Sequence, residues 1–126
     1  MMQINKFKPI PIKQRTFDFA VNIVKFSLLL KEEKHYEIAN QLIRAGTSIG
    51  ANLREASNGY SKQDFIHKVS ISQKETDETI YWLEIIMEIS RYDNEAEKLL
   101  DEANQLLKIL KSISLNAKKN QVTKPS

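Results

Sequence analysis

The side chains of this 126-residue chain that could do chemistry are few, and most of them are lysines and arginines. Glu55, Glu75 and Glu78 lie on amphipathic stretches, where carboxylates turned into a helix bundle can hold a pair of metal ions. None of the three is followed by histidine at the i+3 spacing that such sites use. His35 and His67 stand apart in sequence and read as surface histidines, and cysteine is absent, so neither a metal centre nor a thiolate nucleophile is expected. Ser48 and Ser72 have no evident base or oxyanion donor. The run GTSIGAN, residues 46–52, lacks the lysine of a phosphate-cradling loop and sits inside a helical pattern. The expectation is a protein without enzymatic activity, cofactor or metal.

What remains is charge. Net charge is +5 over residues 1–31, −1 over 32–61, −6 over 62–102 and +5 over 103–126, against +3 for the whole chain. Lys6, Lys8, Lys13 and Arg15 supply the first basic segment, and Lys111, Lys118 and Lys119 belong to the last. Cations gathered on one surface attract nucleic acid phosphates by releasing their counterions. Lysine-rich termini also serve solubility and complement helix ends, which is the bland alternative.

Helices must position these charges. Pro9 and Pro11 lack N–H groups and disfavour helix, so residues 1–15 are expected to form an extended basic arm. Thr16 is then the expected N-cap, with Asp18 in the first turn. The first helix, about residues 16–31, carries two apolar stripes, Phe17, Val21, Val24 and Leu28 on one side and Phe19, Ile23, Phe26 and Leu30 on the other. At 100° per residue they lie about 200° apart, so one neighbour cannot bury both and self-association is expected.

The second helix, about 36–58, aligns Leu42, Gly46, Ile49, Leu53 and Ala56 on one stripe. Gly46 and Gly50 each cost about 1 kcal/mol in a helix interior, so a close neighbour must compensate. Asn58-Gly59 is a stop, and Ser61 is expected to cap a third helix, about 62–92, with Asp64 three residues on. Ser72 and Thr76 would lie level with the glycine-rich part of the second helix, bringing Arg44 or Arg54 near Glu75 or Glu78. Tyr81 and Trp82 read as packing or interface residues. Asp93-Asn94 breaks the pattern before a fourth helix, about 95–118, whose core stripe is Leu99, Ala103, Leu106, Leu110 and Ile113. Residues 120–126 are expected to be a disordered tail.

The pattern QLxRAxxSIxxNxxEA, followed by KExxETxYWL, resembles the 23S rRNA intervening sequence proteins, a family that includes the accessory variability determinants of diversity-generating retroelements. The resemblance rests on Gln41, Leu42, Arg44, Ala45, Ser48, Ile49, Asn52, Glu55, Lys74, Glu75, Glu78, Thr79, Tyr81, Trp82 and Leu83, with Gly46 and Gly50 inside the same motif. It implies a four-helix bundle assembled into a homopentameric ring, with nucleic acid binding proposed for some members.

The fold expected is therefore all-α: an antiparallel up-down-up-down four-helix bundle over residues 16–119 that assembles into a ring-like homo-oligomer. Such a topology brings the start of the first helix and the end of the fourth to one end, joined by Lys62. The expected function is an accessory protein that contacts RNA or DNA phosphates with little sequence preference through Lys6, Lys8, Lys13, Arg15, Lys62, Lys111, Lys118 and Lys119. The alternative is a scaffold that docks a protein partner, such as a polymerase or reverse transcriptase, on the acidic third helix. With no run of about 18 apolar residues and no signal-peptide core, a cytoplasmic location and no membrane partner are expected.

Overall fold

A computed structural model describes residues 11–58 and 61–123, and all regular structure among them is helical. Four helices form a bundle: α1 Ile12–Glu32, α2 Tyr36–Ser57, α3 Lys62–Ile89 and α4 Asp93–Thr123. One core runs through it, built from Phe19, Ile23, Phe26 and Leu30 of α1, Leu42, Ile49 and Leu53 of α2, Val69, Leu83 and Ile86 of α3, and Leu99, Leu106 and Leu110 of α4. These are the stripes that helical periodicity selects. The second stripe of α1 is left uncovered by the described residues: Phe17, Val21, Val24 and Leu28 remain 51%, 36%, 40% and 57% exposed.

The glycines of α2 face α1. A Cβ on Gly46 would stand 2.9 Å from both Cγ atoms of Ile23, and one on Gly50 would stand 3.1 Å from Oγ1 of Thr16. Toward α3 the close approach is marked differently, by the Ser72 hydroxyl, which donates to the Ile49 carbonyl at 2.7 Å. Four other buried hydroxyls bond within their own helices: Thr16 to the Lys13 carbonyl, Ser27 to Ile23, Thr76 to Ser72 and Thr79 to Glu75. Small side chains thus line the contacts without leaving an unpaired polar group, which would be costly in the core.

Helix ends depart from expectation in five places. Helix α1 begins at Ile12 rather than Thr16, so only residues before Pro11 could form an arm, and residues 1–10 lie outside the described part. Proline is tolerated at the start of a helix because its missing N–H would be unsatisfied there anyway. Thr16 is buried one turn inside, and Asp18 accepts a hydrogen bond from the Gln14 side chain. Helix α2 stops at Ser57 with Asn58 as C-cap at φ −101°, not in a left-handed turn. Helix α3 ends at Ile89, because Ser90 turns extended and its Oγ accepts from the Tyr92 N–H at 3.0 Å. Asp93 then opens α4 instead of interrupting the chain, its carboxylate favourable at a helix N-terminus. Helix α4 continues to Thr123, so residues 120–123 are helical rather than a tail. Ser61 does cap α3, accepting from the Asp64 N–H at 3.1 Å.

The link between α1 and α2 is a glycine-less Schellman turn. The His35 N–H bonds the Leu30 carbonyl, the Lys34 N–H bonds the Lys31 carbonyl, and Lys34 takes φ 68°. A left-handed lysine costs about 1–2 kcal/mol relative to glycine, part of which glycine forfeits in chain entropy. Lys34→Gly is therefore expected to stabilise the protein by about 0.5–1 kcal/mol, read as a rise in urea midpoint at constant slope.

Glu33 ties this turn to the one between α3 and α4. Its carboxylate accepts from the Ser90 hydroxyl at 2.6 Å and from the Arg91 backbone N–H at 3.1 Å. The Ser90 hydrogen bond above all, then the Arg91 N–H and the charges of His35 and Arg91, outweigh desolvation and hold the carboxyl below its ordinary value. A carboxyl whose folded pKa is depressed contributes stability above its unfolded pKa and loses it as pH falls through the folded one. Glu33→Gln should accordingly be less stable than the parent at neutral pH. The two unfolding curves should converge below about pH 4.

Candidate functional site

Basic side chains stand near one terminus of each of the four helices. Lys13 lies in the first turn of α1, exposed, and shares a groove with Arg54 near the end of α2. Gly50 and the small residues Ala20 and Ala51 keep that groove open between the two helices, and Phe17 forms one wall. Lys62 opens α3. Lys118, near the end of α4, borders a recess lined by Gln63, Ile66, His67 and Ser70 of the first turns of α3. Lys111 and Lys119 are exposed on the same stretch of α4.

Two of the expected contacts, Lys6 and Lys8, fall outside the described residues. Arg15 does not belong to the basic surface. Its Nε and Nη2 grip the two oxygens of Glu102 at 2.7 and 2.9 Å, and Nη2 also reaches the Gln105 side chain. That fork joins α1 to α4, and hydrogen bonding by Glu102 raises the pKa of the already permanent guanidinium charge. Sequence gave no warning, because Glu102 is 87 residues away.

Arg54 stands beside Lys13, where the sequence had set it near Glu75 or Glu78. Of the two arginines placed near Glu75 and Glu78, only Arg44 reaches them: its Nη1 lies 3.3 Å from Glu75 and its Nη2 bonds Glu78. Gln41 supports the same guanidinium, and the Trp82 indole donates to Glu78 at 3.2 Å while packing edge-on against Tyr81. Half-buried charges held this way specify how α2 sits against α3 more than they add stability. Ser48 bonds the Arg44 carbonyl and Asn52 bonds the Ser48 carbonyl, both within their own helix. Glu55 pairs with Lys68 at 2.6 Å. The shared motif residues are thus structural in their contacts.

The turn between α3 and α4 is acidic. Glu84 and Glu88 of α3 and Asp93, Glu95 and Glu97 of α4 are all exposed around the turn at Ser90. His35 is half-buried in the α1–α2 turn, 3.9 Å from Glu33, rather than on open surface. Among the described residues no group of three His, Asp or Glu side chains could hold a metal ion, and no helix is long and apolar enough to cross a membrane.

Comparison with known proteins places this geometry. No match was found among curated proteins. The crystal structure of a protein with unknown function from the S23 ribosomal protein family of Bacteroides thetaiotaomicron VPI-5482 is 39% identical in sequence and similar in fold, with a TM-score of 0.77. The similarity covers 82% of this chain and 98% of that one. Residues 8–112 match the 23S rRNA-intervening sequence proteins, and with the bundle and its Arg44 cluster in view, this chain belongs to that family.

Proposed function

We propose that the protein is a non-enzymatic, cytoplasmic accessory protein that binds RNA or DNA through the basic end of an oligomeric bundle. One observation carries this: Lys13, Arg54, Lys62 and Lys118, near helix termini, and Lys111, farther back along α4, are all exposed, and none forms an ion pair with a described residue. A stabilising surface would pair such charges, as it does for Arg15, Arg44 and Lys68. Unpaired cations suit phosphates, whose recognition carries little sequence information.

An antiparallel up-down-up-down arrangement is part of the proposal. Supporting it, Lys68, Ser72 and Glu78 of α3 meet Glu55, Ile49 and Arg44 of α2, numbers rising in one helix as they fall in the other. Self-association is supported by Val21, Val24 and Leu28 of α1, an apolar patch beyond the groove that the described residues leave exposed. The number five is what the family resemblance implies. Each copy in a ring would repeat the basic end.

Fluorescence anisotropy of labelled single- and double-stranded RNA and DNA, with the mass of the assembly taken by light scattering, tests the proposal. Affinity should fall by orders of magnitude between about 50 and 200 mM salt if several phosphates are contacted. Absence of binding at low salt would sink it. The acidic surface of α3, with Tyr81 58% exposed, would then be the place to seek a protein partner.

A further inference from the structure

The groove between α1 and α2 combines features that bulk positive charge does not require. Lys13 and Arg54 flank it, no carboxylate lines it, and its volume is about 230 Å³. Phe17 forms a wall with half its surface open, and the floor is the backbone of Gly50 beside Ala51. The Thr47 hydroxyl donates to the Ile43 carbonyl at 2.7 Å and so presents only acceptor capacity inward. Helix α1 begins here with no side-chain cap and no acid in its first turn, so its positive dipole end adds to Lys13 instead of being neutralised.

A ligand that fits must be anionic at one part and flat and apolar at another. A nucleotide has both. Duplexes bury their base faces by stacking, whereas a single strand offers them to an aromatic ring. We propose that this groove takes an unpaired nucleotide of a single strand, its base stacked on Phe17 and its flanking phosphates on Lys13 and Arg54. The proposal rests on the nucleic-acid function above and narrows it: the basic end attracts any phosphate backbone, and the groove selects strands with unpaired bases. A mononucleotide shares the chemistry but engages one groove with one phosphate, so a strand spanning further cations binds more tightly.

The test uses the full-length protein with labelled oligo-U, oligo-dT and a duplex of equal length, adenosine monophosphate as competitor, and the variants Phe17→Ala and Phe17→Trp. Phe17 is on the surface, so the fold should survive both changes, and the assembly mass is checked for each. Phe17→Ala should weaken single-strand binding about tenfold, the usual worth of one stacked base, and leave duplex binding within about twofold. Phe17→Trp should retain single-strand affinity, and its fluorescence should fall on adding the strand beyond any change in the parent, whose Trp82 is held on α3 by Glu78. Equal loss on both nucleic acids, or no loss, would overturn the stacking site while leaving the basic end in place. A change in assembly mass with Phe17→Ala would overturn it in favour of a contact between copies. Competition by adenosine monophosphate at the strand's own concentration would overturn the strand as ligand. Failure of every nucleic acid to bind at low salt would remove the broader function as well.

Discussion

Gly46→Leu is expected to abolish cooperative folding, and Gly46→Ala to cost about 1–2 kcal/mol even though alanine is the better helix former. The new Cβ would stand 2.9 Å from Cγ1 and Cγ2 of Ile23 and 3.3 Å from its Cβ. Ile23 is fully buried, and a β-branched residue in a helix has essentially one χ1 well, so its methyls cannot swing aside. Helix α1 itself must retreat, and core contacts loosen along Phe19 and Phe26. Overpacking of this kind costs about 1–3 kcal/mol, against about 1 kcal/mol gained from helix propensity. Leucine adds three further carbons in the same place. Gly50→Ala is the contrast: its Cβ would meet Thr16 at 3.1–3.4 Å, where a few tenths of an ångström suffice. That variant should stay within about 1 kcal/mol of the parent. Urea melts followed by circular dichroism decide, and a Gly46→Ala protein more stable than the parent would show that α1 yields at no cost.

The second large effect concerns binding rather than folding. Replacing Lys13, Lys62, Lys111 and Lys118 together by glutamate should lower RNA or DNA affinity by about a hundredfold or more at low salt. The slope of log affinity against log salt should shrink by about three to four units, close to one per lost phosphate contact. All four side chains are exposed and make no ion pair with a described residue, so the melting curve should hardly move. Arg15→Gln is the informative control. It removes one positive charge from the same sequence neighbourhood as Lys13, but one already committed to Glu102. Affinity should be nearly unchanged, and stability should fall by no more than about 1 kcal/mol for a partly exposed pair. A quadruple variant that binds like the parent would make the basic end a solvating surface.

How legible was each part? The core stripes of α1, α2 and α4 were readable, because helical periodicity is local and burial follows it. The Ser61 cap was readable for the same reason, as donor and acceptor are three residues apart. The start of α1 was not: two prolines suggested an extended arm, yet Pro11 merely precedes a helix whose apolar face α2 secures. The Lys34 turn was also hidden, since its left-handed residue is not a glycine.

The candidate site divides along the same line. Sequence by itself determined that charge is segregated, that α1 is apolar on two sides and that the glycines of α2 demand a close neighbour. Each of these is a property of spacing within one segment. Only the tertiary structure decided which cations remain available. Lys13 and Arg15 are two residues apart, but a helix turns them about 200° from each other, one to solvent and one to Glu102. Likewise Arg44 and not Arg54 meets Glu78, and Arg54 is thereby left beside Lys13 and Phe17 across the groove. The partners in these choices are separated by tens of residues, and they meet only once packing of the whole core sets how one helix lies against the next.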